Sequence, residues 1–434
     1  STNSVGLKQA GATTLYIRGS RGDSNLKSIP AGVVILDEFD EMSRRAIKLA
    51  YERLSGQTEK EVWCISTPTL PNFGVHKEYQ DSTREHFFFE CPRCSRTTEL
   101  TFPDCLEMCG ETINDPAIHQ SFLKCKECQG KLDHETKWQW LASGTWQPTY
   151  HNGNPERRGY HINQLYSSTI SPAELTSAYL ESLGDEYAAT EWKNSKLGLP
   201  YIGEGAQLTE DLVTRQVRDY SIHDSRPQPG GKTRIITLGY DQGRIGYYVV
   251  VEWFFDTFGR DLNALSTGKV LDIGKVLQQD EGWSRMDELM SEWQIRGCVL
   301  DADPEITDAR RFARRYPGYV NLCRYRKGVK GRELSITEEE TDAPMVTCDR
   351  TYWLGCSLGR FRTGRIELPR DLPMEFTAHM QAPVKKYGYD DDGNPYARYV
   401  NVADDHFAHA LTYAELALPF AASIASGSDI TTLL

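Results

Sequence analysis

Val33-Val34-Ile35-Leu36-Asp37-Glu38 is four apolar residues running into two adjacent carboxylates, the pattern of a buried parallel strand that delivers acids to the edge of a nucleotide site. In P-loop NTPases the carboxylate after such a strand holds the Mg²⁺ on the β- and γ-phosphates. Asp37 is therefore the candidate metal-side residue and Glu38 the candidate activator of water. A plain buried strand with a polar edge would read the same. The companion phosphate loop, G-x-x-x-x-G-K-[ST], occurs nowhere in the 434 residues. Gly230-Gly231-Lys232-Thr233 ends like one, but Arg226 stands where its first glycine belongs, and a Pro-Gln-Pro run precedes it instead of a strand. On this reading the chain does not hydrolyse ATP by itself, and the first part of its ATPase is either cut away or carried by another chain.

Hydrophobic residues make up 39% of the chain and charged ones 25%, enough for two or three cores. No apolar stretch approaches the length of a membrane span and no export signal is present, so neither a membrane nor secretion is expected. Eleven cysteines, an odd number with six between 91 and 128, point to metal binding in a reducing compartment and away from a disulfide framework. Cys91-Pro-Arg-Cys94 and Cys125-Lys-Glu-Cys128 are two C-x-x-C knuckles, each able to turn two thiolates toward one ion, and together they complete a tetrahedral Zn²⁺ site. Four thiolates close the shell, so this site serves folding, DNA contact or docking and not catalysis. Cys105 and Cys109, between the knuckles, read as bystanders or as ligands of a second site.

The C-terminal half changes character. Residues 222–233 are polar and rich in Pro and Gly, a linker. Strands follow at 234–241, ending in Asp241, at 247–255 and near 269–273, then a helix at about 283–294 and a short strand, Cys298-Val299-Leu300-Asp301. Asp303-Pro304 opens the next helix. The last helix begins after Asp404-Asp405-His406, with Phe407, Ala410, Leu411 and Ala414 at helical spacing. Strand, strand, strand, helix, strand, helix is the order of an RNase H-like domain, and acids on its first strand, fourth strand and last helix gather metals. Phosphodiester hydrolysis uses such a cluster, because two Mg²⁺ or Mn²⁺ ions about 3.5 to 4 Å apart activate water and steady the leaving oxygen. Asp241, Asp301 and Asp405 are the candidate catalytic ligands, with Asp303 and Asp404 as possible additions.

Net charge is −12, yet Arg310, Arg311, Arg314, Arg315, Arg324, Arg326, Lys327, Lys330 and Arg332 form a run with no acid among them. Beside the acids it would grip DNA phosphates without reading bases. A solvated basic face is the plain alternative. The acids Glu338 to Glu340 and Asp342 follow in an expected surface loop, where they would keep DNA away from the nuclease until a cut is wanted.

Tyr16-Ile17-Arg18-Gly19-Ser20, Ser28-Ile29-Pro30 before the acidic strand, Ser66-Thr67-Pro68 after the strand Val62 to Ile65, Gly159-Tyr160-His161-Ile162-Asn163, Trp192-Lys193-Asn194 and Leu197-Gly198-Leu199-Pro200 together resemble the large terminase subunit of tailed bacteriophages. The branch with a zinc ribbon set into its ATPase domain is the nearest in pattern. The resemblance implies an α/β protein in which the C-terminal part of a P-loop ATPase domain carries an inserted zinc ribbon and an RNase H-like nuclease follows. The corresponding segments are a partial ATPase (1–85), a zinc ribbon (86–150), the helical end of the ATPase domain (151–221), a linker (222–233), the nuclease (234–420) and a flexible tail (421–434). It implies that Ser66 and Thr67 couple ATP hydrolysis to DNA movement. It also implies ATP with Mg²⁺ for the motor, two Mg²⁺ or Mn²⁺ ions for the nuclease and structural Zn²⁺. The expected partners are double-stranded DNA, a portal protein, a small terminase subunit and copies of the chain in a ring. The expected place is the host bacterial cytoplasm, transiently on the procapsid portal. Where many terminases carry Asp-His-x-x-Asp-Ala, this chain has Asp405-His406-Phe407-Ala408-His409-Ala410. His409 thus replaces an acid, and imidazole suits Mn²⁺ or Zn²⁺ better than Mg²⁺. An RNase H-like recombinase or transposase, or a DNA- and portal-docking subunit with a decayed nuclease, are the alternatives.

Overall fold

The computed structural model describes residues 3–20, 22–27, 29–222, 233–277, 282–326, 329–337, 343–389 and 394–434. They form two compact units, Ser1–Gly203 and Glu204–Leu434. The expected linker falls almost wholly outside the described residues, as do the pseudo-phosphate-loop tail, Ser28, Lys327 and the acidic stretch 338–342.

In the N-terminal unit Val33–Asp37 is a strand, paired in parallel with Glu61–Ile65. The helix Arg44–Tyr51 lies between them in the chain and is capped by the Ser43 hydroxyl, which accepts from Ala46 N. Leu36, Phe39 and Ala50 form a small core with Ile47, Cys64 and Val75. The expectation of a buried strand is corrected: Val33 is 51% and Ile35 57% exposed, with Trp63 at 47% and Ile65 at 51%. This sheet has two strands among the described residues, so side chains that alternate to the second face meet no layer there.

Further along, Glu85–Glu90 pairs with Thr145–Pro148 on one side and Tyr160–His161 on the other. Phe89, Leu100, Leu106, Leu123 and Leu132 pack in one core with Leu165, Leu175 and Trp192. The expected boundary at 150 therefore runs through one sheet and one core.

Apart from a separate antiparallel pair at Pro383–Tyr389 and Pro395–Asn401, the C-terminal unit is built on an eight-stranded sheet among the described residues: β1 (Thr233–Asp241), β2 (Ile245–Phe255), β3 (Thr267–Leu277), β4 (Gly297–Asp301), β5 (Val320–Tyr325), β6 (Leu334–Thr337), β7 (Met345–Cys348) and β8 (Ile366–Glu367). Their order is β6-β7-β5-β4-β1-β2-β3-β8. The β1–β2–β3 meander is antiparallel, whereas β4, β5 and β7 add parallel to β1 in turn. Parallel neighbours need a long crossover between them, and helices α1 (Gly282–Glu292) and α2 (Ile306–Arg315) supply it. Helices α3 (Arg350–Thr363), α4 (Phe376–Gln381) and α5 (His406–Ser426) follow. Both faces of the sheet are covered, one by Met286, Leu289 and Phe312, the other by Phe361, Phe376 and the length of α5. Helix α5 is buried from Phe407 through Pro419, apolar nearly all round as an interior helix must be. The expected tail from 421 is corrected: α5 runs on to Ser426, Ala421 and Ala422 are core residues, and Leu433 is buried.

Candidate nuclease site and candidate metal centre

Asp241 and Asp301 end neighbouring parallel strands. The β1–β4 register pairs Tyr240 with Leu300, so the next residue on each strand is an aspartate. Both carboxyls are well shielded, and among the described residues no cation is bonded to Asp301. Burial, with Asp241 nearby, pushes the Asp301 carboxyl up to about 7. The adjacent Gln242 donates from Nε2 to the Asp301 carbonyl at 2.9 Å and ties the two strand ends together. His406, the first residue of α5, places Nδ1 2.7 Å from Asp241 Oδ2. Its ring stacks on Tyr247 at 4.6 Å with a 7° tilt. The bond to Asp241 raises the His406 pKa.

Asp405 is turned differently. Its Oδ2 is 3.1 Å from Arg350 Nη2 and 3.1 Å from His409 Nε2, and its Oδ1 is 3.4 Å from Asn401 Nδ2. Burial opposes its charge, yet the bond from His409 and the field of Arg350 outweigh that and hold its pKa down. The Tyr325 hydroxyl lies 3.0 Å from His409 Nδ1, and Nε2 faces both Asp405 Oδ2 at 3.1 Å and Arg350 Nη2 at 3.3 Å. Asp404 is exposed. Asp303 is paired through both oxygens with Arg324, at 2.8 and 2.9 Å. The expected convergence of three acids on one point is not what the side chains do: Asp241 and Asp301 are register neighbours, while Asp405 belongs to an Arg350–His409 cluster. Among the described residues, the group of three or more ligating side chains within 4.8 Å of one another is made of cysteines.

The basic run is less bare than its sequence suggests. Arg311 pairs with Asp308, Arg315 with Asp287, Arg324 with Asp303 and Arg332 with Asp261, all acids outside the run. Arg314, Arg326 and Lys330 are exposed or partly so, and Arg310 is half-buried.

In the N-terminal unit, Asp37 and Glu38 lie exposed at the strand's end, and Glu38 takes a left-handed backbone, φ 52°, uncommon for a residue with a side chain. Two residues on, Asp40 is a buried hub that sequence reasoning missed. Its Oδ2 accepts from Thr69 N and Thr69 Oγ1, both at 2.8 Å, and its Oδ1 from Val75 N at 2.6 Å. Asp40 N donates to Ser66 Oγ at 3.2 Å. The acidic turn is thereby fastened to the Ser66-Thr67-Pro68 loop. Gly74, at φ +50°, sits where a Cβ would fall 2.0 Å from Asp40 Oδ1, so only glycine fits there.

The sulfurs of Cys91, Cys94, Cys125 and Cys128 all lie within 4.8 Å of one another. Arg93 N and Glu127 N each approach the first sulfur of their knuckle at 3.4 Å. An all-thiolate set of that size fits Zn²⁺. Cys105 and Cys109 stand outside it; the Cys105 thiol, fully buried, donates to the Glu99 carbonyl at 3.4 Å.

Three comparisons with known proteins bear on these features. No curated protein matches the chain. Among solved structures it is similar to the HK97 bacteriophage large terminase (10% identity, 89% of this chain and 70% of that one, TM-score 0.39). It is also similar to a large terminase from a thermophilic bacteriophage (12%, 95% and 76%, TM-score 0.27) and to the large terminase nuclease of the thermophilic phage G20c (12%, 47% and 95%, TM-score 0.27). Likenesses that distant carry no argument about residues. Two family models carry more: residues 1–146 match the ATPase domain of the phage terminase large subunit gpA, and residues 157–308 match the endonuclease domain of the same protein. Matched in series over residues 1–146 and 157–308, the chain carries the ATPase-then-endonuclease domain pattern of the phage terminase large subunit gpA.

Proposed function

We propose that this chain is a phage terminase large subunit whose C-terminal unit cuts double-stranded DNA by metal-assisted phosphodiester hydrolysis at the Asp241–Asp301 pair. The observation that carries the reading is the pairing itself: two carboxylates side by side at the ends of parallel strands, one of them pushed up to about 7 by burial beside the other. Oxygen donors held together against their repulsion suit a hard divalent cation. When bound, Mg²⁺ or Mn²⁺ supplies the positive charge that polarises the phosphodiester and eases deprotonation of water. The chain's own part is positional. Gln242 locks the strand ends in register, and His406, wedged on Tyr247, fixes which oxygen of Asp241 is left free. Arg314, Arg326 and Lys330 meet the DNA backbone.

In the N-terminal unit, Asp37 and Glu38 act as the metal-side and water-activating residues of a packaging ATPase whose phosphate loop this sequence does not contain. Asp40 passes motion between that acidic turn and the Ser66–Thr67 loop. Zn²⁺ on the four cysteines holds the 86–150 segment in shape. The full assembly is a ring on the portal of a procapsid in the bacterial cytoplasm, with a small terminase subunit choosing the site on concatemeric DNA.

Cleavage of supercoiled plasmid by the purified chain in Mg²⁺ or Mn²⁺ tests this. Loss of cutting in both Asp241→Ala and Asp301→Ala, with the fold intact, supports it. Cutting that survives either substitution refutes the assignment. Joining of strand ends instead of hydrolysis would move the chain to the recombinases.

A further inference from the structure

The reading of the nuclease leaves open what the Arg350–His409–Asp405 cluster does beside the acid pair. Arg350 is the first residue of α3, where the positive end of the helix dipole disfavours a cation. It is nevertheless held there. Its Nη1 donates to the Tyr399 carbonyl at 2.8 Å, its Nη2 reaches Asp405 Oδ2 at 3.1 Å and lies 3.3 Å from His409 Nε2. The N-cap carboxylate Asp349, which accepts from Thr351 N, Tyr352 N and Gly331 N, offsets the unfavourable placement. A residue set against its local preference and clamped by two partners marks a functional demand and not a helix-forming one.

The charge count decides what that demand is. At the Asp241–Asp301 end two carboxylates face one imidazole, His406 at 2.7 Å from Asp241, and among the described residues no guanidinium is bonded to either acid. At the α5 end, one carboxylate faces one guanidinium and one imidazole, so the cluster is neutral or positive. A second hard divalent ion there would have to displace Arg350 from Asp405 Oδ2 and accept an imidazole where an oxygen is preferred.

We infer that Arg350 occupies, as a fixed cation, the place of a second divalent ion, so that this nuclease binds one ion, at Asp241 and Asp301, with Asp405 serving as the positioning anchor of Arg350 and not as a metal ligand. This rests on the metal-nuclease reading above. It also gives His409 a role: an imidazole there adds no negative charge that would compete for Arg350 with Asp405.

Counting bound Mn²⁺ tests it. The purified chain, with its cysteine site filled with Zn²⁺ and otherwise stripped of metal, is titrated with Mn²⁺ by calorimetry. Electron paramagnetic resonance then looks for the spin coupling of a close ion pair. One Mn²⁺ per chain without coupling is expected. Arg350→Gln, which removes the cation, and Arg350→Gln combined with His409→Asp, which also supplies an oxygen donor, are each expected to raise the count from one to two and to produce the coupling. Melting curves check that both variants fold, and either folded variant suffices. Two coupled ions in the unaltered chain, with plasmid cutting, would overturn this inference and leave the nuclease reading standing. Folded variants that still take one ion would overturn the role of Arg350. Uptake of no ion and no cutting would overturn the nuclease reading and this inference with it.

Discussion

Gly239→Ala should unseat the nuclease although it adds a single methyl group. Gly239 lies on β1 two residues before Asp241, and α5 crosses directly over it. A Cβ there would stand 1.9 Å from the Ala410 carbonyl oxygen and 2.3 Å from Ala414 N. Ordinary contact begins near 3.4 Å, so α5 has to retreat by roughly 1.5 Å, and because both obstructing atoms are helix backbone no rotamer change relieves them. Overpacking of this kind costs about 3 kcal/mol or more, at or above the top of the usual range. In a unit of this size that is a fall in melting temperature on the order of 6–12 °C. Thermal scans read together with hydrogen exchange of the β1 and β4 amides assign the loss to the C-terminal unit. Plasmid cleavage should fall as well, because the retreating helix carries His406 away from Asp241. The matched control is Gly359→Ala on α3, where a Cβ meets nothing within 4 Å. The same chemical change in an open helix position should stabilise by about 1 kcal/mol. A Gly239→Ala protein that melts within a degree of the parent and cuts normally would refute the packing argument.

Four further outcomes are expected. Lys137 is fully buried and bonded to the Leu165 and Ser167 carbonyls, and burial pushes its pKa down to about 8 from 10.5. Between those two values the unfolded chain holds a proton the folded one does not, so stability of the N-terminal unit should climb with pH by up to about 3 kcal/mol. Lys137→Met should flatten that climb in urea titrations run across this pH range, and an unchanged slope would count against it. Asp40→Ala should leave the Thr69 and Val75 amides buried and unpaired, at about 1–3 kcal/mol for each such loss, seen as faster hydrogen exchange confined to 66–75. Arg360 and Glu415 form a buried pair, with Arg360 also donating to the Ser266 and Asn263 carbonyls. Arg360→Met alone should cost about 3–5 kcal/mol and Arg360→Met with Glu415→Leu markedly less, and equal losses would refute the account. Cys128→Ser, or chelation, should release one Zn²⁺ per chain and loosen the core shared by 86–150 and 165–197, measured by metal release and near-ultraviolet circular dichroism. Retention of both signals would argue against a structural ion.

The strand Val33–Asp37, the meander, the acids at 241 and 301 and the start of the last helix were legible because each is a local pattern: an apolar run ended by an acid, or an acid just before an apolar face at helical spacing. The two knuckles were legible because a thiolate pair set three positions apart has few other uses. What stayed hidden depends on neighbours far along the chain. Nothing around Arg350 in sequence announces Asp405, fifty-five residues away, and Asp40 sits in an acidic stretch where any carboxylate would look solvated. The pairing of four arginines of the basic run was hidden for the same reason, since their partners Asp261, Asp287, Asp303 and Asp308 all lie outside it. The strand at 33–37 also shows the limit of composition, because a run that reads as buried on both sides is covered on one.

The bond between His406 and Asp241 closes across 165 residues, and that between Thr237 and the Ala414 carbonyl across 177. At a translation rate of about 5–20 residues per second, the first strand waits roughly ten to thirty seconds before the helix that completes its face has been made. Until then Asp241 has no His406 to orient it, and β1 lacks the cover that keeps it in place. The order in which the chain emerges therefore decides when the orientation of Asp241 is fixed: only after the last helix has been made.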